Sequence, residues 1–379
     1  MEISELRNQM NFLDDQLVEL FEKRMKTALE IADYKKKHGL AVLDKSRERS
    51  IISRLTSKCS EEMAVYVKML YSTLFDLSRS YQQGRMMFQT ELTNHIKQAI
   101  NETEKLFPKK ATVACQGVEG AYSQQACDKL FAIPNIMYFN SFEGVFQAID
   151  KGFCRYGILP IENSSNGSVT EVYDLMKKYS FSIVRGIRLK VDHRLLAKPG
   201  TQPSDIKEIF SHEQAIGQCS TFLKELKDVK INVCENTAVA ARMVRDSGRS
   251  DVAAISSQSC AELYGLSVVN SDIQNSDNNY TRFICISKQL EIYPGADRMS
   301  LMLNLSHKPG ALYEMIAKFA ALGLNLTKIE SRPIPGTDFE FMFYFELDAS
   351  IYSDEAIQIL YELDSGPDQF NFLGCYNEV

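Results

Sequence analysis

The stretch FEKRMKTALEIADYKKK, residues 21–37, decides how the first hundred residues fold. Apolar residues recur there and before it every three or four positions, which predicts a helix with one buried stripe: Leu6, Met10, Leu13, Leu17, Leu20, Ala28 and Ile31. Two cations stand on the same stripe, Arg24 four residues after Leu20 and Lys35 four residues after Ile31. At about 100° per residue, Arg24 and Lys35 share one face about 16 Å apart. The pattern therefore predicts a helix whose core-facing side contains two positive charges.

Composition predicts a globular protein without a strong charge preference. The chain has 379 residues, 45% hydrophobic and 24% charged, which suits two or three domains. Its net charge of −6 excludes the basic footprint of a nucleic-acid-binding protein. No apolar run approaches about 20 residues, and the first residues do not resemble a secretory signal. Nine scattered cysteines without a C-x-x-C pair favour free thiols, so we expect a cytoplasmic protein without a disulfide framework or zinc site.

Periodicity divides the chain into three domains and a linker. Residues 1–90 predict an all-α domain of three helices, and residues 91–110 a helical extension and linker. Residues 111–288 alternate short apolar strands with helical patterns, which indicates an α/β domain. Residues 299–379 follow the order βαββαβ, the ferredoxin-like α+β pattern.

The three helices of the first domain have recognisable ends. We expect the first to end at His38-Gly39, the second to cover Asp44–Lys58, and the third to begin near Ser60 as its cap. The third carries an apolar stripe that continues into two polar residues four apart, which should face inward: Met63, Val67, Leu70, Leu74, Ser78 and Gln82. Arg47 and Glu48 open a polar patch on the second helix.

Inward-facing cations need compensation. Burying an unpaired cation costs several kcal/mol, although long basic side chains can also lie over an apolar face and keep their charges in water. The convergence of Arg24 and Lys35 with Ser78 and Gln82 favours a pocket for a small dianion. Arg7 lies about 25 Å from Arg24 along the same helix. One small molecule would reach both cations only if a partner's helix supplied Arg7, which predicts an obligate dimer with shared sites.

These positions resemble those of the all-helical chorismate mutases, which form intertwined dimers. The matching residues are Arg7, Arg24, Lys35, Asp44, Arg47, Glu48, Ser78 and Gln82. The resemblance implies the [3,3] rearrangement of chorismate to prephenate. It also implies that Arg24 and the partner's Arg7 grip carboxylates with help from Ser78, and that Lys35 and Gln82 bond the ether oxygen. By the same resemblance Glu48 takes the ring hydroxyl, while Asp44 and Arg47 support the network.

Three polar stretches in the middle domain predict a carboxylate-binding cleft. GILPIENSSNGSV (157–169) is an apolar strand that runs into polar residues, and ligands of α/β folds bind at such strand ends. FSHEQAIGQC (210–219) places Ser and His at the start of a helix, where an anion is favoured. NNYTRF (278–283) is a polar loop that enters a strand. The candidate residues are Glu162, Asn163, Ser164, Ser211, His212, Gln214, Gln218, Thr281, Arg282 and Phe283.

The middle segment is similar to prephenate dehydratases through GAYS (120–123), PIENS and TRF. The resemblance implies two α/β lobes like those of periplasmic binding proteins, and decarboxylation of prephenate with loss of its hydroxyl to give phenylpyruvate. No cofactor or metal is expected, because aromatisation drives the reaction. The family assigns the proton donor to Thr281, whereas chemistry alone would choose His212, whose ordinary pKa is near 6.5. The resemblance also implies that Arg282 grips a substrate carboxylate beside Asn163 and Gln218.

The last domain resembles the ACT regulatory domain. Its motifs lie in HKPGALYE (307–314) and IESRP (329–333), and they imply a phenylalanine site: Gly310, Ala311, Leu312, Glu330, Ser331, Arg332 and Pro333. In this family phenylalanine binds between two ACT domains and favours a less active state, which it must bind more tightly.

The whole chain is thus identified as a member of the bifunctional chorismate mutase–prephenate dehydratases of phenylalanine biosynthesis. Its expected ligands are chorismate, prephenate and phenylalanine, with no nucleic acid and no membrane, and its expected state is a homodimer that could pair into a tetramer. Two alternatives stay open. One is an enzyme that prefers arogenate, and the other is a non-enzymatic amino-acid sensor.

Overall fold

The computed structural model describes residues 2–38, 44–85, 90–334, 336, 340–366 and 369–379. These residues form two compact units, and each is described by itself. The first unit comprises Met1–Asn94, Leu305–Asn325 and Tyr352–Gln369, and the second comprises His95–Asn304, Leu326–Ile351 and Phe370–Val379. None of the helices in the described ranges is both long and apolar enough to span a membrane.

The N-terminal region is helical, as its periodicity predicts. Its helices are α1 (Ile3–Lys37), α2 (Lys45–Thr56), α3 (Ala64–Arg85) and α4 (Glu91–Glu102). The Asp44 side chain caps α2 by accepting a hydrogen bond from the Arg47 amide at 2.9 Å. The predicted cap at Ser60 is wrong, since Ser60 precedes a 3-10 turn (Glu61–Met63) and makes no side-chain capping bond within the described residues. Gly39, where we expected α1 to end, lies outside the described residues.

The long first helix is buried only toward its C-terminal end. Met25, Ala28 and Ala32 are buried, and Phe75 of α3 is buried in the same unit. Every residue from Glu2 to Lys23 is exposed. The apolar stripe that periodicity predicts to be buried is therefore 44 to 62% exposed from Leu6 to Leu20 within one chain. Its length explains this, because 35 residues extend about 52 Å, well beyond the 12 and 22 residues of α2 and α3.

The middle region contains two sheets. The first has the order β2-β1-β3-β11-β5, with β4 paired to β3, and the second has the order β10-β6-β9-β7-β8. The strands of the first sheet are β1 (Lys110–Gln116), β2 (Ile133–Phe139), β3 (Tyr156–Asn163), β4 (Gly167–Ser168), β5 (Ser182–Lys190) and β11 (Tyr280–Ser287). Those of the second are β6 (Arg194–Ala197), β7 (Glu208–Ser211), β8 (Lys230–Val233), β9 (Val252–Ser256) and β10 (Ser267–Asn270).

Helices connect these strands. They are α5 (Tyr122–Leu130), α6 (Phe142–Asp150), α7 (Thr170–Tyr179), α8 (Glu213–Gln218), α9 (Ser220–Glu225), α10 (Thr237–Asp246) and α11 (Gln258–Tyr264), with a 3-10 turn at Pro203–Asp205. Parallel pairs such as β1–β2 and β7–β9 follow from these helical crossovers. The predicted α/β character of this region is confirmed, and each sheet has its own buried apolar clusters.

The C-terminal region has the predicted βαββαβ order. Its elements are β12 (Arg298–Asn304), α12 (Ala311–Ala321), β13 (Asn325–Pro333), β14 (Phe341–Asp348), α13 (Asp354–Asp364) and β15 (Gln369–Tyr376). The sheet order β13-β14-β12-β15 is that of a ferredoxin-like fold. Asp338 and Phe339, which we expected to begin the strand now labelled β14, lie outside the described residues.

The pairing of β3 with β11 positions the middle domain's polar residues. Their antiparallel register places Thr281 opposite Asn163, and Arg282 opposite Glu162. Successive side chains of a strand point to opposite faces. One face of this strand pair therefore carries Asn163 and Thr281, and the other carries Glu162 and Arg282.

Gly157 allows α6 to lie close to β3. A Cβ atom at this position would stand 2.6 Å from Val145 Cγ1 and 2.7 Å from Ile149 Cδ1, both on α6. Gly157→Ala should therefore destabilise the second unit by about 1–3 kcal/mol. Scanning calorimetry would detect the lower unfolding temperature. Gly248→Ala is the matched control, because no heavy atom lies within 4 Å of its would-be Cβ; equal unfolding temperatures for the two variants would contradict the packing argument.

Candidate active sites

A cavity of about 460 Å³ lies among the first three helices. It brings together every predicted residue of the helical site except Arg7. Its lining is Lys23, Arg24, Thr27, Ala28, Ile31, Lys35, Asp44, Arg47, Glu48, Ile51, Phe75, Ser78, Arg79 and Gln82. Five of these residues are basic and two are acidic, so the cavity suits an anion.

Arg24 is held at the wall of this cavity and does not simply extend into water. Its guanidinium donates to the Leu74 carbonyl at 3.4 Å and lies 5.6 Å from the centre of the Phe75 ring. Both contacts come from α3. Arg24 and Lys35 are both half-buried, so each is partly accessible to a ligand in the cavity.

Ser78 and Gln82 face inward, as their spacing predicts. They are 6% and 9% exposed, and Gln82 Nε2 donates to Ser78 Oγ at 3.1 Å. The bond fixes the Gln82 carboxamide one helical turn from Ser78. Both side chains line the cavity and keep hydrogen-bonding capacity for a guest.

Sequence reasoning missed Arg79. Its guanidinium bridges Glu48 of α2 and Asp76 of α3. Burial raises the pKa of Asp76, and the charge of Arg79 opposes that rise. Arg79 follows Ser78 directly and stands three residues after Asp76, so the acid–base spacing was visible. Its pairing holds Glu48, the residue expected to take a ring hydroxyl, at the cavity wall.

Arg7 lies outside the cavity. It is exposed on α1, seventeen residues before Arg24, and about 25 Å away by helical rise. Within one chain, Arg7 therefore lies far from the other predicted residues of the helical site.

The second candidate site is a cleft of about 500 Å³ in the middle region. Its described lining residues are Ser165, Asn166, Glu213, Gln214, Gly217, Gln218, Gln274, Asn275, Ser276 and Asn279. Carboxamides and hydroxyls dominate this set, and Glu213 is its one charged member among the described lining residues. The predicted Gln214 and Gln218 are present, and Asn279 lies in the NNYTRF stretch but was not chosen from sequence.

Three carboxamides form a closed ring beside this cleft. Asn163 Nδ2 donates to Asn279 Oδ1 at 3.0 Å, and Asn279 Nδ2 donates to Gln218 Oε1 at 2.9 Å. Gln218 Nε2 completes the ring at 3.5 Å from Asn163 Oδ1, and also donates to Asn166 Oδ1 at 3.1 Å. We call these three residues, Asn163, Asn279 and Gln218, the amide ring.

Thr281 is attached to the amide ring. Asn163 Nδ2 donates to Thr281 Oγ1 at 2.9 Å, and Thr281 is 9% exposed. An amide nitrogen has no lone pair to accept a hydrogen bond, so the threonine oxygen is the acceptor here. The Thr281 hydroxyl proton is therefore not used by Asn163 and can be donated to another group.

Other predicted residues of the middle domain have structural contacts. Ser164 Oγ accepts from the Tyr280 amide at 2.9 Å and donates to the Asn278 carbonyl at 3.0 Å, which ties the two loops together. Ser211 is fully buried and donates to the Ile255 carbonyl at 2.8 Å. His212 caps α8 through Nδ1, 3.3 Å from the Gln214 amide, and burial lowers the pKa of its imidazole.

The structure contradicts the placement of Arg282 in the cleft. Its guanidinium lies on the opposite face of β11 from Thr281, where three carboxylates use it: Glu378 at Nε (2.7 Å), Glu162 at Nη1 (3.2 Å) and Glu346 at Nη2 (2.8 Å). Glu162 is held there too, by Lys328 at 2.6 Å. Phe283 is 3% exposed and belongs to an apolar cluster. Strand alternation explains the position of Arg282, whereas Phe283 lies on the same face as Thr281 and is buried in the apolar core.

We call Arg282, Glu162, Lys328, Glu346 and Glu378 the charge cluster. The Glu346 side chain is 2% exposed. Burial alone would raise its pKa, but the charges and hydrogen bonds of Arg282 and Arg298 outweigh burial and lower that pKa. Burial would lower the pKa of Arg282, yet the facing carboxylates raise it. The cluster joins β3 and β11 to β13 and β14 within the second unit.

The predicted phenylalanine motifs fall in both compact units. Gly310 begins α12 with a left-handed φ of 87°, which favours glycine, and is followed by Ala311 and Leu312. In the other unit, Glu330 accepts from Ser168 Oγ at 2.6 Å and Arg332 pairs with Asp174 at 2.8 Å. Ser331 and Pro333 are exposed on the same strand.

Two family models match the chain. The type II chorismate mutase model matches residues 6–83, and the prephenate dehydratase model matches residues 113–291. The bifunctional chorismate mutase/prephenate dehydratase of Escherichia coli K12 is 31% identical over 98% of this chain and 95% of its own length. The arogenate dehydratase/prephenate dehydratase 1 of Arabidopsis thaliana is 36% identical over 70% of this chain and 72% of its own length.

Solved structures match about 70% of the chain. A prephenate dehydratase from Arthrobacter aurescens in complex with L-Phe has a TM-score of 0.64 at 28% identity and covers 70% of this chain and 89% of its own. A protein described as a novel type of quorum quenching acylase also has a TM-score of 0.64, at 30% identity over 71% of this chain and 98% of its own.

The near full-length match to the E. coli protein agrees with the order of the two family models along the chain. It also agrees with a helical cavity that is followed by a two-sheet domain with its own cleft. The family predicted from the sequence motifs is confirmed: this chain belongs to the bifunctional chorismate mutase/prephenate dehydratases of phenylalanine biosynthesis.

Proposed function

We propose that the two activities of this bifunctional enzyme are housed in the two sites described above. The helical cavity converts chorismate to prephenate, and the cleft beside the amide ring converts prephenate to phenylpyruvate. The observation that carries this assignment is the convergence of Arg24, Lys35, Ser78 and Gln82 on one cavity. As the sequence predicts, we assign residues 1–90 to the mutase domain, residues 111–288 to the dehydratase domain and residues 299–379 to the regulatory domain.

The mutase step needs a held conformation and fixed positive charge. In the [3,3] rearrangement, negative charge develops on the ether oxygen of chorismate. Lys35 and Gln82 bond that oxygen, while Arg24 and Ser78 hold a carboxylate. Preorganised donors of this kind stabilise the transition state more than the substrate. Arg79 keeps Glu48 oriented toward the ring hydroxyl.

The mutase works as an intertwined dimer whose partner supplies Arg7. Two features of one chain support this. The apolar stripe from Leu6 to Leu20 is exposed, and a helix with such a stripe is stable only against another surface. Arg7 stands at the far end of α1, where an antiparallel partner helix would bring it to the other chain's cavity. Whether such dimers pair further into tetramers stays open.

The dehydratase step consumes one proton. Prephenate loses carbon dioxide and its ring hydroxyl, and the hydroxyl leaves as water after it receives a proton, which solvent finally supplies. The Thr281 hydroxyl donates to the leaving oxygen, because its own oxygen is already engaged by Asn163. Carboxamide N–H groups of the cleft bind the substrate carboxylates, since the described lining residues include no cation.

Thr281 suits the role of proton donor better than His212. Thr281 is bonded to the amide ring, two members of which line the cleft, whereas the His212 imidazole is engaged at the start of α8. A lowered pKa also keeps His212 neutral near pH 7, so it has no proton to spare as an acid.

The dehydratase could prefer prephenate or arogenate, and the lining of the cleft bears on this choice. The Arabidopsis relative is described as an arogenate dehydratase/prephenate dehydratase. Arogenate carries an amino group that prephenate lacks, and Glu213 at the cleft is the described acid that would pair with it. This acid is exposed to solvent, where an ion pair contributes little to binding, so we propose prephenate as the main substrate.

Phenylalanine acts as feedback inhibitor through the C-terminal domain. The relative solved with L-Phe supports phenylalanine as the ligand. The GAL motif (Gly310, Ala311, Leu312) and the ESRP motif (Glu330 to Pro333) bind it at the interface of two ACT domains. The charge cluster connects the strands of the C-terminal domain with the dehydratase site, because its members Arg282 and Glu162 are chain neighbours of Thr281 and Asn163. The protein works in the cytoplasm and needs no added cofactor.

Purified protein mixed with chorismate tests the assignment directly. We expect chorismate absorbance to fall and phenylpyruvate to accumulate without added metal or coenzyme. An amino-acid sensor without catalytic activity would leave chorismate unchanged, and that result would overturn the proposal. Comparing turnover of prephenate and arogenate decides the substrate preference.

Gln82→Ala should remove the mutase activity and leave the dehydratase intact. Loss of a donor aimed at developing charge costs about 10²–10³ in kcat. Arg7→Ala should also inactivate the mutase. Mixing the two inactive variants after mild dissociation should restore activity, since one site of each mixed dimer contains wild-type Gln82 and wild-type Arg7. Absence of any recovery would contradict the shared site.

Thr281→Ala should lower prephenate turnover by about 10²–10⁴, the usual contribution of a positioned proton donor. Mutase activity of the same preparation serves as the folding control. Thr281→Ser keeps the hydroxyl and should retain much of the activity. Unchanged turnover in Thr281→Ala would transfer the role to His212.

Arg282→Met should destabilise the second unit by about 3–5 kcal/mol at pH 7, since it leaves buried Glu346 without its main partner. The native pKa of Glu346 is lowered, so its contribution to stability is present above about pH 4.3 and is lost as pH falls through the native value. The variant's deficit in unfolding temperature should therefore stay nearly constant from pH 7 to about pH 4.3 and narrow as the pH falls further. A deficit independent of pH would contradict the electrostatic origin, and Arg245→Met at an exposed ion pair is the control.

A further inference from the structure

His193 is a buried histidine that has no role in the dehydratase mechanism proposed above. It lies between β5 and β6 and is 3% exposed. Its Nε2 is 2.9 Å from Gln218 Oε1, and its backbone N–H donates to Gln274 Oε1 at 2.9 Å. Among the described residues, no group is hydrogen-bonded to Nδ1. A histidine that fills apolar space would not need a bond to a residue of the cleft.

The directions of the hydrogen bonds in the amide ring are fixed from outside the ring. Rotating all three amides by 180° would reverse every donor and acceptor, so the ring alone does not choose a direction. At Asn163, the choice is made by the backbone amides of Ser165 and Asn166, both 3.0 Å from Oδ1. At Gln218, the remaining contact on the carbonyl oxygen is His193.

The bond to Gln218 also determines which nitrogen of His193 carries the proton. Gln218 Oε1 already accepts from Asn279 Nδ2 and can only accept. The imidazole must therefore donate through Nε2–H, which leaves a lone pair on Nδ1. Burial lowers the pKa of His193 and so favours this neutral ring.

We propose that His193 is a positioning residue for prephenate dehydration: as the Nε2–H tautomer it holds the Gln218 carboxamide, and through Gln218 and Asn163 it leaves the Thr281 proton available to the substrate. Gln218 needs such an anchor because it is half-exposed on the six-residue helix α8. The inference rests on the proposed role of Thr281.

A purely structural role for His193 is the competing explanation. The Tyr122 ring packs edge-on against the imidazole at 6.1 Å, so the side chain also fills space. Two variants separate the roles. His193→Met keeps volume and removes the donor, whereas His193→Gln places an amide N–H where it can reach Gln218.

The steady-state experiment compares both variants with wild type on prephenate. We expect kcat to fall about 100-fold in His193→Met with little change in KM, as for a reacting group that is misplaced by about 1 Å. His193→Gln should return to within about tenfold of wild type. Mutase activity of the same samples should stay unchanged. Equal kcat values for His193→Met and wild type, or no recovery in His193→Gln relative to His193→Met, would overturn the proposal.

The tautomer can be measured in the wild-type protein, which avoids any folding defect of a variant. Imidazole ¹⁵N–¹H correlation spectra distinguish Nε2–H from Nδ1–H, and the chain has five histidines to assign. We expect the Nε2–H form near pH 7, and an Nδ1–H form or an imidazolium would overturn the proposal. Failure of wild type to turn over prephenate would instead refute the proposed function, and the tautomer would still report on the bond to Gln218.

Discussion

Strand alternation at β3 and β11 is the constraint on which the dehydratase depends. Asn163 and Thr281 share one face, and their chain neighbours Glu162 and Arg282 share the other. The first pair meets neutral amides beside a cleft, and the second pair meets buried carboxylates and a lysine. The Thr281 hydroxyl is thereby held on a strand whose opposite side is fixed by charge. Movement of that strand would alter both faces together, since they are formed by adjacent residues.

The two candidate sites have different chemistry. The helical cavity uses excess positive charge, with Arg24 seated on Phe75 and Arg79 shared between two acids. The cleft uses neutral donors whose directions are set by contacts outside the ring. The difference suits the reactions: a rearrangement that builds charge on an ether oxygen gains from fixed cations. A dehydration that must deliver a proton gains from an oriented hydroxyl.

Periodicity and motif spacing predicted the element order, the βαββαβ sheet and the residues that gather at the helical cavity, but only Gln214 and Gln218 of the ten dehydratase candidates line the described cleft. They could not predict which side chains of a strand face the site. TRF reads as three adjacent site residues, yet of these three only Thr281 is bonded to the amide ring. Arg282 faces the opposite side of the strand, and Phe283 enters the core. Ser211 looked like a ligand and instead satisfies a buried carbonyl. The exposed stripe of α1 shows another limit of sequence patterns. Periodicity identifies an apolar face, but it does not show which surface covers that face. Arg79, Asn279 and His193 were missed because their roles arise from contacts between distant segments.

The amide ring itself contains no ionisable group. Amides keep the same donors and acceptors from mild acid to mild alkali, and the imidazole that anchors them is kept neutral by burial. The hydrogen-bond pattern around Thr281 should consequently persist when the surrounding solution acidifies. In a site built on a titrating pair of carboxylates, by contrast, the hydrogen-bond geometry changes with pH.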